Sequence, residues 1–222
     1  MTAAAAAEVQ ATRRRMMVDC QLRTYEITDR AVLAAFDAVP REAFVASDRA
    51  SLAYADRDLP SLGNARRLTL APMPLARMVQ ALRIGQGAKV LDIAGGAGYG
   101  AAVLAELGAR VTVLETSWPG EADVALRAAP AGIVTVSGPL EKGHAANAPY
   151  DAILLHGAVE REPAALIAQL RDGGRLACGL IEGEACKVVC YERFGAAAKM
   201  LPLFDARLPL LKEFAAPPVF VF

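Results

Sequence analysis

The chain has 222 residues, with 24 Lys and Arg balanced by 24 Asp and Glu, two His and four Cys, and 55% of its residues are hydrophobic. That length and apolar content suit one compact domain and exclude a disordered chain. Zero formal net charge removes the footprint of a general nucleic-acid binder, and no run approaches the roughly 18 apolar residues of a membrane span.

Residues 1–18 form an alanine-rich, then basic leader, expected to be helical or frayed. Its alanine block precedes Arg13-Arg14-Arg15, the reverse of a secretory signal, so a cytoplasmic location is the expectation. Residues 19–82 read as a helical region with a loop. Asp29 caps a helix with Val32, Leu33 and Phe36 on one face and Pro40 at its end. The stretch from Ser47 to Pro60 is irregular, and Leu59-Pro60-Ser61-Leu62-Gly63-Asn64 reads as a loop. A helix from Pro74 to Leu82 follows, with Leu75, Met78, Val79 and Leu82 at helical spacing.

Residues 83–222 alternate between strand and helix patterns. Strands are predicted at Lys89–Ile93, Arg110–Leu114, Ile133–Val136, Asp151–Leu155, Arg175–Leu180 and Lys187–Arg193, and the Pro-punctuated tail could add another. Helices are predicted at Tyr99–Leu107, stopped by Gly108, and at Pro163–Leu170, closed by Asp172-Gly173-Gly174. Strands separated by helix-length segments imply an α/β fold with a doubly wound, mostly parallel sheet.

Neither histidine, His144 nor His156, stands at ligand spacing to Cys20, Cys178, Cys186 or Cys190, and no C-x-x-C occurs, so no metal site is expected. The cysteines read as small buried apolar residues, and His144 as a surface residue.

Ligands of open α/β sheets bind outside the carboxyl ends of the strands. The turn after the first strand is Ala94-Gly95-Gly96-Ala97-Gly98, whose minimal side chains let backbone approach a ligand closely. Glu115 closes the second strand, where a carboxylate accepts both hydroxyls of a ribose. Asp92 can order the turn or reach a ligand amine. The G-x-G-x-x-G spacing of a dinucleotide site is missing, whereas D-I-A-G-G-A-G-Y suits a sulfonium with an amino-acid tail. A tight turn without any ligand is the structural alternative.

Val39-Pro40-Arg41-Glu42-Ala43-Phe44-Val45, reading V-P-R-E-x-F-V, stands ahead of Ala53-Tyr54-Ala55-Asp56 with Leu59-Pro60 and of Val90 through Ala105. With these segments the chain resembles, over residues 16–212, the protein-L-isoaspartate (D-aspartate) O-methyltransferases. Ala148 through Ile153, Gln169 through Leu176 and Arg207-Leu208-Pro209-Leu210-Leu211 continue it in the same order. It implies a Rossmann-like class I methyltransferase fold and S-adenosyl-L-methionine as methyl donor, with S-adenosyl-L-homocysteine as product and no metal. It implies isoaspartyl peptides or proteins as substrates, with neither nucleic acid nor membrane as partner, and leaves oligomeric state open. Donor-binding positions carried over are Asp92, Ala94, Gly95, Gly96, Gly98, Tyr99, Glu115, Ser137, Gly138 and His156. Asp56, Thr69 and Leu70 fall on the family's substrate loop. Because a carboxylate is already a nucleophile, such a reaction needs positioning and exclusion of water more than a strong base.

The chain departs from this pattern at the site. Leu70 replaces the serine of the substrate loop, and in extended backbone its neighbour Thr69 points to the opposite face. Ala94 replaces a glycine, which a methyl tolerates only at negative φ. Ser137-Gly138-Pro139 lacks the family's aspartate, and His156 is a new polar group at a strand end. Arg66-Arg67 could pair with a substrate carboxylate or be a solvated pair. Trp118-Pro119-Gly120 could cover an adenosine or anchor a helix. These departures keep two rivals in view, a methyltransferase of other substrate and a non-catalytic scaffold with the same fold.

Overall fold

A computed structural model describes residues 3–118 and 132–217. The leader is helix α1 (Ala3–Met17), continued by a π turn over Val18–Leu22 and a 3-10 turn over Arg23–Tyr25. Helix α2 (Arg30–Ala38) starts where expected, the Asp29 carboxylate accepting the N–H groups of Ala31 and Val32. Val32, Leu33, Ala35 and Phe36 form its buried face.

The first correction concerns Leu59–Asn64. Where the sequence reads as a loop, Leu59–Ser61 (β1) and Asn64–Thr69 (β2) pair antiparallel about a turn with Gly63 at φ 66°. Helix α3 (Pro72–Leu82) then begins two residues early, with prolines in its first turn, where a missing N–H costs nothing.

Seven further strands form one sheet in the order β5-β4-β3-β6-β7-β8-β9. They are β3 (Lys89–Ile93), β4 (Arg110–Glu115), β5 (Ile133–Ser137), β6 (Tyr150–Val159), β7 (Leu170–Glu182), β8 (Ala185–Phe194) and β9 (Ala197–Asp205). β5 through β7 pair parallel, and β8 and β9 extend the sheet as antiparallel hairpins. Helix α4 (Tyr99–Glu106) links β3 to β4 and ends at Gly108 in the left-handed region. The predicted Pro163–Leu170 helix shrinks to α5 (Ala164–Ile167), because β7 already pairs at Leu170 with Tyr150. Asp172-Gly173-Gly174 therefore bulges within that strand, the register resuming at Ala152 opposite Arg175.

The central parallel strands β3, β4 and β6 are buried on both faces, as a covered parallel sheet requires, whereas β5 at the end of the sheet is largely exposed. Val90, Ala152 and Leu154 join Phe36, Leu75, Met78, Val103 and Leu104 in one core. Leu91, Ile93, Ile153 and Leu155 join Leu114, Leu166 and Phe214 in the other. Strand order reverses between β3 and β6, so the crevice for a ligand lies above the ends of these two strands. Cys178 and Cys190 are buried as expected, but Cys186 is half-buried and Cys20 is exposed on the π turn. His144 is likewise half-buried, its N–H donating to Gln169. Among the described residues, no helix is long and apolar enough to cross a membrane.

Candidate functional site

Asp92 and Glu115 stand at the carboxyl ends of β3 and β4, His156 stands in β6 one residue past its pairing with β3, and the turn Ala94–Gly98 follows β3. Parallel pairing fixes this arrangement: Asp92 lies opposite Val113 and Leu154, and Glu115 opposite Ser137. Ala94, Gly96 and Gly98 have φ of 61°, 60° and 89°. The negative φ expected of Ala94 is therefore not found. Its methyl sits in the left-handed region, at a cost of about 1–2 kcal/mol, held by an N–H bond to the Leu114 carbonyl at 3.1 Å.

Two carboxylates face this turn, and each is already partnered by the chain. Asp92 Oδ1 lies 2.5 Å from His156 Nε2, both side chains fully buried. Asp92 Oδ2 is buried without a hydrogen-bond partner. The imidazole fills the space beside Gly95 and Gly100; a methyl on Gly100 would lie 2.3 Å from the ring. Of the roles open to His156, pairing with a carboxylate is the one the structure adopts.

Glu115 accepts the Gly96 N–H on Oε1 at 2.8 Å and Arg67 Nε on Oε2 at 3.0 Å. Arg67 also gives Nη2 to Glu213 Oε1 at 2.8 Å, on the 3-10 turn Lys212–Phe214. Neither sequence expectation for Arg66-Arg67 describes this: Arg66 is exposed, whereas Arg67 is buried in an ion triad. Burial pushes the Glu115 carboxyl above its ordinary range, against the pull of Arg67 and the Gly96 N–H. Burial also opposes the charge on Arg67, but its two carboxylates outweigh that and raise the guanidinium. Burial opposes the Glu213 charge too, yet Arg67 holds this carboxyl below the usual range.

Ser61, at the end of β1, completes the cover. Its Oγ accepts the Ala97 N–H at 2.7 Å and occupies the space above Gly96, where a methyl would meet it at 2.3 Å. The tail closes the other side, with Ala158 N–H donating to Pro209 and Leu211 N–H to Ala158.

The remaining predicted positions lie outside this cluster. Tyr99 packs into the N-terminal layer against Phe36 and Phe44, its buried hydroxyl unpartnered. Ser137 is exposed at the tip of β5, and the Gly138 N–H donates to the Glu115 carbonyl. Leu70 is fully buried in the core, and the Thr69 hydroxyl donates to the Phe44 carbonyl. Asp56 accepts the Met73 N–H at the start of α3. Arg41, the arginine of the V-P-R-E-x-F-V run, is fully buried and donates to the carbonyls of Ala53, Arg57, Thr69 and Leu70. It ties the backbone of residues 53–57 to that of Thr69 and Leu70. Trp118 bonds the Val136 carbonyl through Nε1 at 3.0 Å; Pro119 and Gly120 lie outside the described residues.

As arranged, the niche above the glycine turn is held by the chain's own side chains. Glu115 has both oxygens engaged, His156 covers Asp92, and Ser61 sits on the glycine that would face the ligand. Ser61, Arg67 and Glu213 were not singled out as a cover by the sequence, because their partners lie 36, 48 and 146 residues away. The alternation of buried Arg67 and Thr69 with less buried Arg66 and Leu68 was the one local signal. Among the described residues, no group of three or more His, Cys, Asp or Glu is arranged to hold a metal ion.

A family model described as protein-L-isoaspartate(D-aspartate) O-methyltransferase matches residues 12–200. A protein-L-isoaspartate O-methyltransferase of Gloeobacter violaceus is 44% identical over 163 residues, 72% of this chain and 78% of the relative. One from Methanoculleus marisnigri is 37% identical over 206 residues, covering 90% and 92%. Among solved structures, a protein-L-isoaspartate O-methyltransferase superposes with a TM-score of 0.79 at 23% identity, over 91% of this chain and 67% of that one. A Plasmodium falciparum protein assigned to the same activity, in complex with S-adenosyl-L-homocysteine, gives 0.77 at 16% identity, over 90% and 98%. At these identities the two structures speak for the fold.

Proposed function

The chain belongs to the protein-L-isoaspartate(D-aspartate) O-methyltransferase family, and from that membership we propose that it methylates isoaspartyl carboxylates of polypeptides with S-adenosylmethionine as donor. It is a methyltransferase by fold and by kinship. The observation that carries the reading is the match over residues 12–200, a stretch that contains the glycine turn, Asp92 and Glu115.

The chemistry of the site agrees with a carboxylate as acceptor. His156, the one histidine at the strand ends, is buried and committed through Nε2 to Asp92. It is not presented as a base to an incoming hydroxyl, amine or thiol, which would have to lose a proton. An isoaspartyl carboxylate needs no such help and depends on positioning. The roles of Ala94, Gly95, Gly96, Gly98 and Glu115 toward the donor, and of Asp56, Thr69 and Leu70 toward the acceptor, are part of this proposal. With Leu70 in the core, no hydroxyl at that position reaches the crevice. Acceptor binding then falls to backbone and to neighbouring groups, and weak peptide affinity is expected.

The test is transfer of a labelled methyl group to a peptide containing isoaspartate, with its normal aspartyl counterpart as control. Transfer confined to the isoaspartyl peptide is expected. No transfer above background at saturating donor overturns the reading.

A further inference from the structure

Arg67 is the residue that the family assignment leaves unexplained. It projects from β2 across the crevice, loses nearly all its exposure, and spends its guanidinium on Glu115 at the floor and Glu213 in the tail. Its Nε bonds Glu115 Oε2, on the acid proposed to accept the ribose diol, while Ser61 on the adjoining strand accepts the Ala97 N–H of the turn. We propose that the β1–β2 hairpin is a latch, shut by Arg67 across both acids, and that the donor enters only when Arg67 releases Glu115. This rests on the donor reading above.

Three features suit the hairpin to that role. It is a two-stranded ribbon outside the main sheet, so its displacement leaves that sheet's ladder intact and loads only its own ties to residues 44–46 and to Arg41. Both of its attachments to the turn are polar, Ser61 to the Ala97 N–H and Arg67 to Glu115, and a nucleoside with a ribose diol can replace the second of them in kind. Behind it lies room to move: a cleft of about 1280 Å³ opens beside Leu68, whose side chain alternates with Arg67, and extends to Cys186, Lys187, Asp205 and Leu210.

Two measurements test the latch. In calorimetric titration with S-adenosylhomocysteine, Arg67→Met is expected to bind at least about tenfold more tightly than wild type, since one charge-assisted bond no longer competes for Glu115. Should Arg67→Met fold poorly, Glu213→Gln, which removes only the outer partner and leaves Glu115 paired, is expected to shift affinity in the same direction by a few-fold. In hydrogen exchange on the wild-type protein, S-adenosylhomocysteine is expected to lower the protection of the Asn64–Thr69 amides while raising that of the glycine turn. Binding with unchanged or increased hairpin protection, or equal affinity in all three proteins, overturns the latch and leaves the methyltransferase reading standing. Absence of binding in wild type and both variants also overturns it, and the methyl-transfer assay then decides whether the donor reading falls as well. Binding with the expected opening but no methyl transfer supports the latch and sinks the isoaspartyl reading alone.

Discussion

Two acid–base clusters line the crevice, and they differ in what carries them. Asp92 and His156 come from β3 and β6, adjacent parallel strands in the middle of the sheet. Glu115 also ends a central strand, but its partners come from a peripheral hairpin and from the tail. The inner pair is carried by the sheet itself, with His156 one residue beyond the last β3–β6 rung, whereas the outer triad joins a central strand to a two-stranded ribbon and the tail. Two polar clusters over one crevice can thus differ in freedom, because the backbone behind them differs.

The largest effect should come from the inner pair. His156→Ala leaves Asp92 buried with neither oxygen partnered and is expected to cost roughly 3–5 kcal/mol, the usual range for half of a buried pair. Urea denaturation measures it; a loss under about 1 kcal/mol would mean that water reaches Asp92 and that the two regions are alike. Arg67→Met should cost less, about 2 kcal/mol, because the hairpin can part and let solvent reach Glu115. If it proves as costly as His156→Ala, the hairpin is core and the contrast fails.

Glu213→Gln, at the rim, should cost under about 1 kcal/mol. The two acids of the triad should also titrate in a fixed order, observable by carboxyl-carbon NMR. Glu115, raised by burial, gains its proton first as pH falls, and Glu213, held down by Arg67, gains it last. The Glu213 contribution to stability is therefore complete at neutral pH. It is lost as pH drops below the ordinary glutamate value of about 4.3 through its lowered one. The reverse order would show that Arg67 favours Glu115. Smallest is Ala94→Gly, where relief of about 1–2 kcal/mol of left-handed strain is offset by lost methyl burial and added chain entropy. A change within about 0.5 kcal/mol of zero is expected, and a loss above about 1 kcal/mol would mean that Ala94 is not strained.

Much of this molecule was legible in order of sequence. β3, the glycine turn, α4 and β4 follow from apolar runs punctuated by Gly98 and Gly108, since a parallel strand buried on both faces writes its burial into consecutive residues. Asp92 and Glu115 read as lying late in such runs, and the structure sets them one residue before the end of β3 and at the end of β4. The β1–β2 hairpin was not legible: Pro60, Gly63 and Asn64 are turn formers, and three-residue β1 is too short to declare a period. The α5 region misled for the opposite reason. Its apolar residues suit a helix, but pairing of Leu170 with Tyr150 claims the last turn for the sheet.

Local chemistry therefore determined the sheet, its central turn and the two acids above it, because those features depend on neighbours within a few residues. Tertiary structure alone decided what those acids touch. An arginine in a polar stretch reads as solvated unless distant segments bring it two carboxylates, and Arg67 finds them 48 and 146 residues further along the chain. Burying its charge is tolerable only because both partners arrive together, and no local pattern records such an encounter.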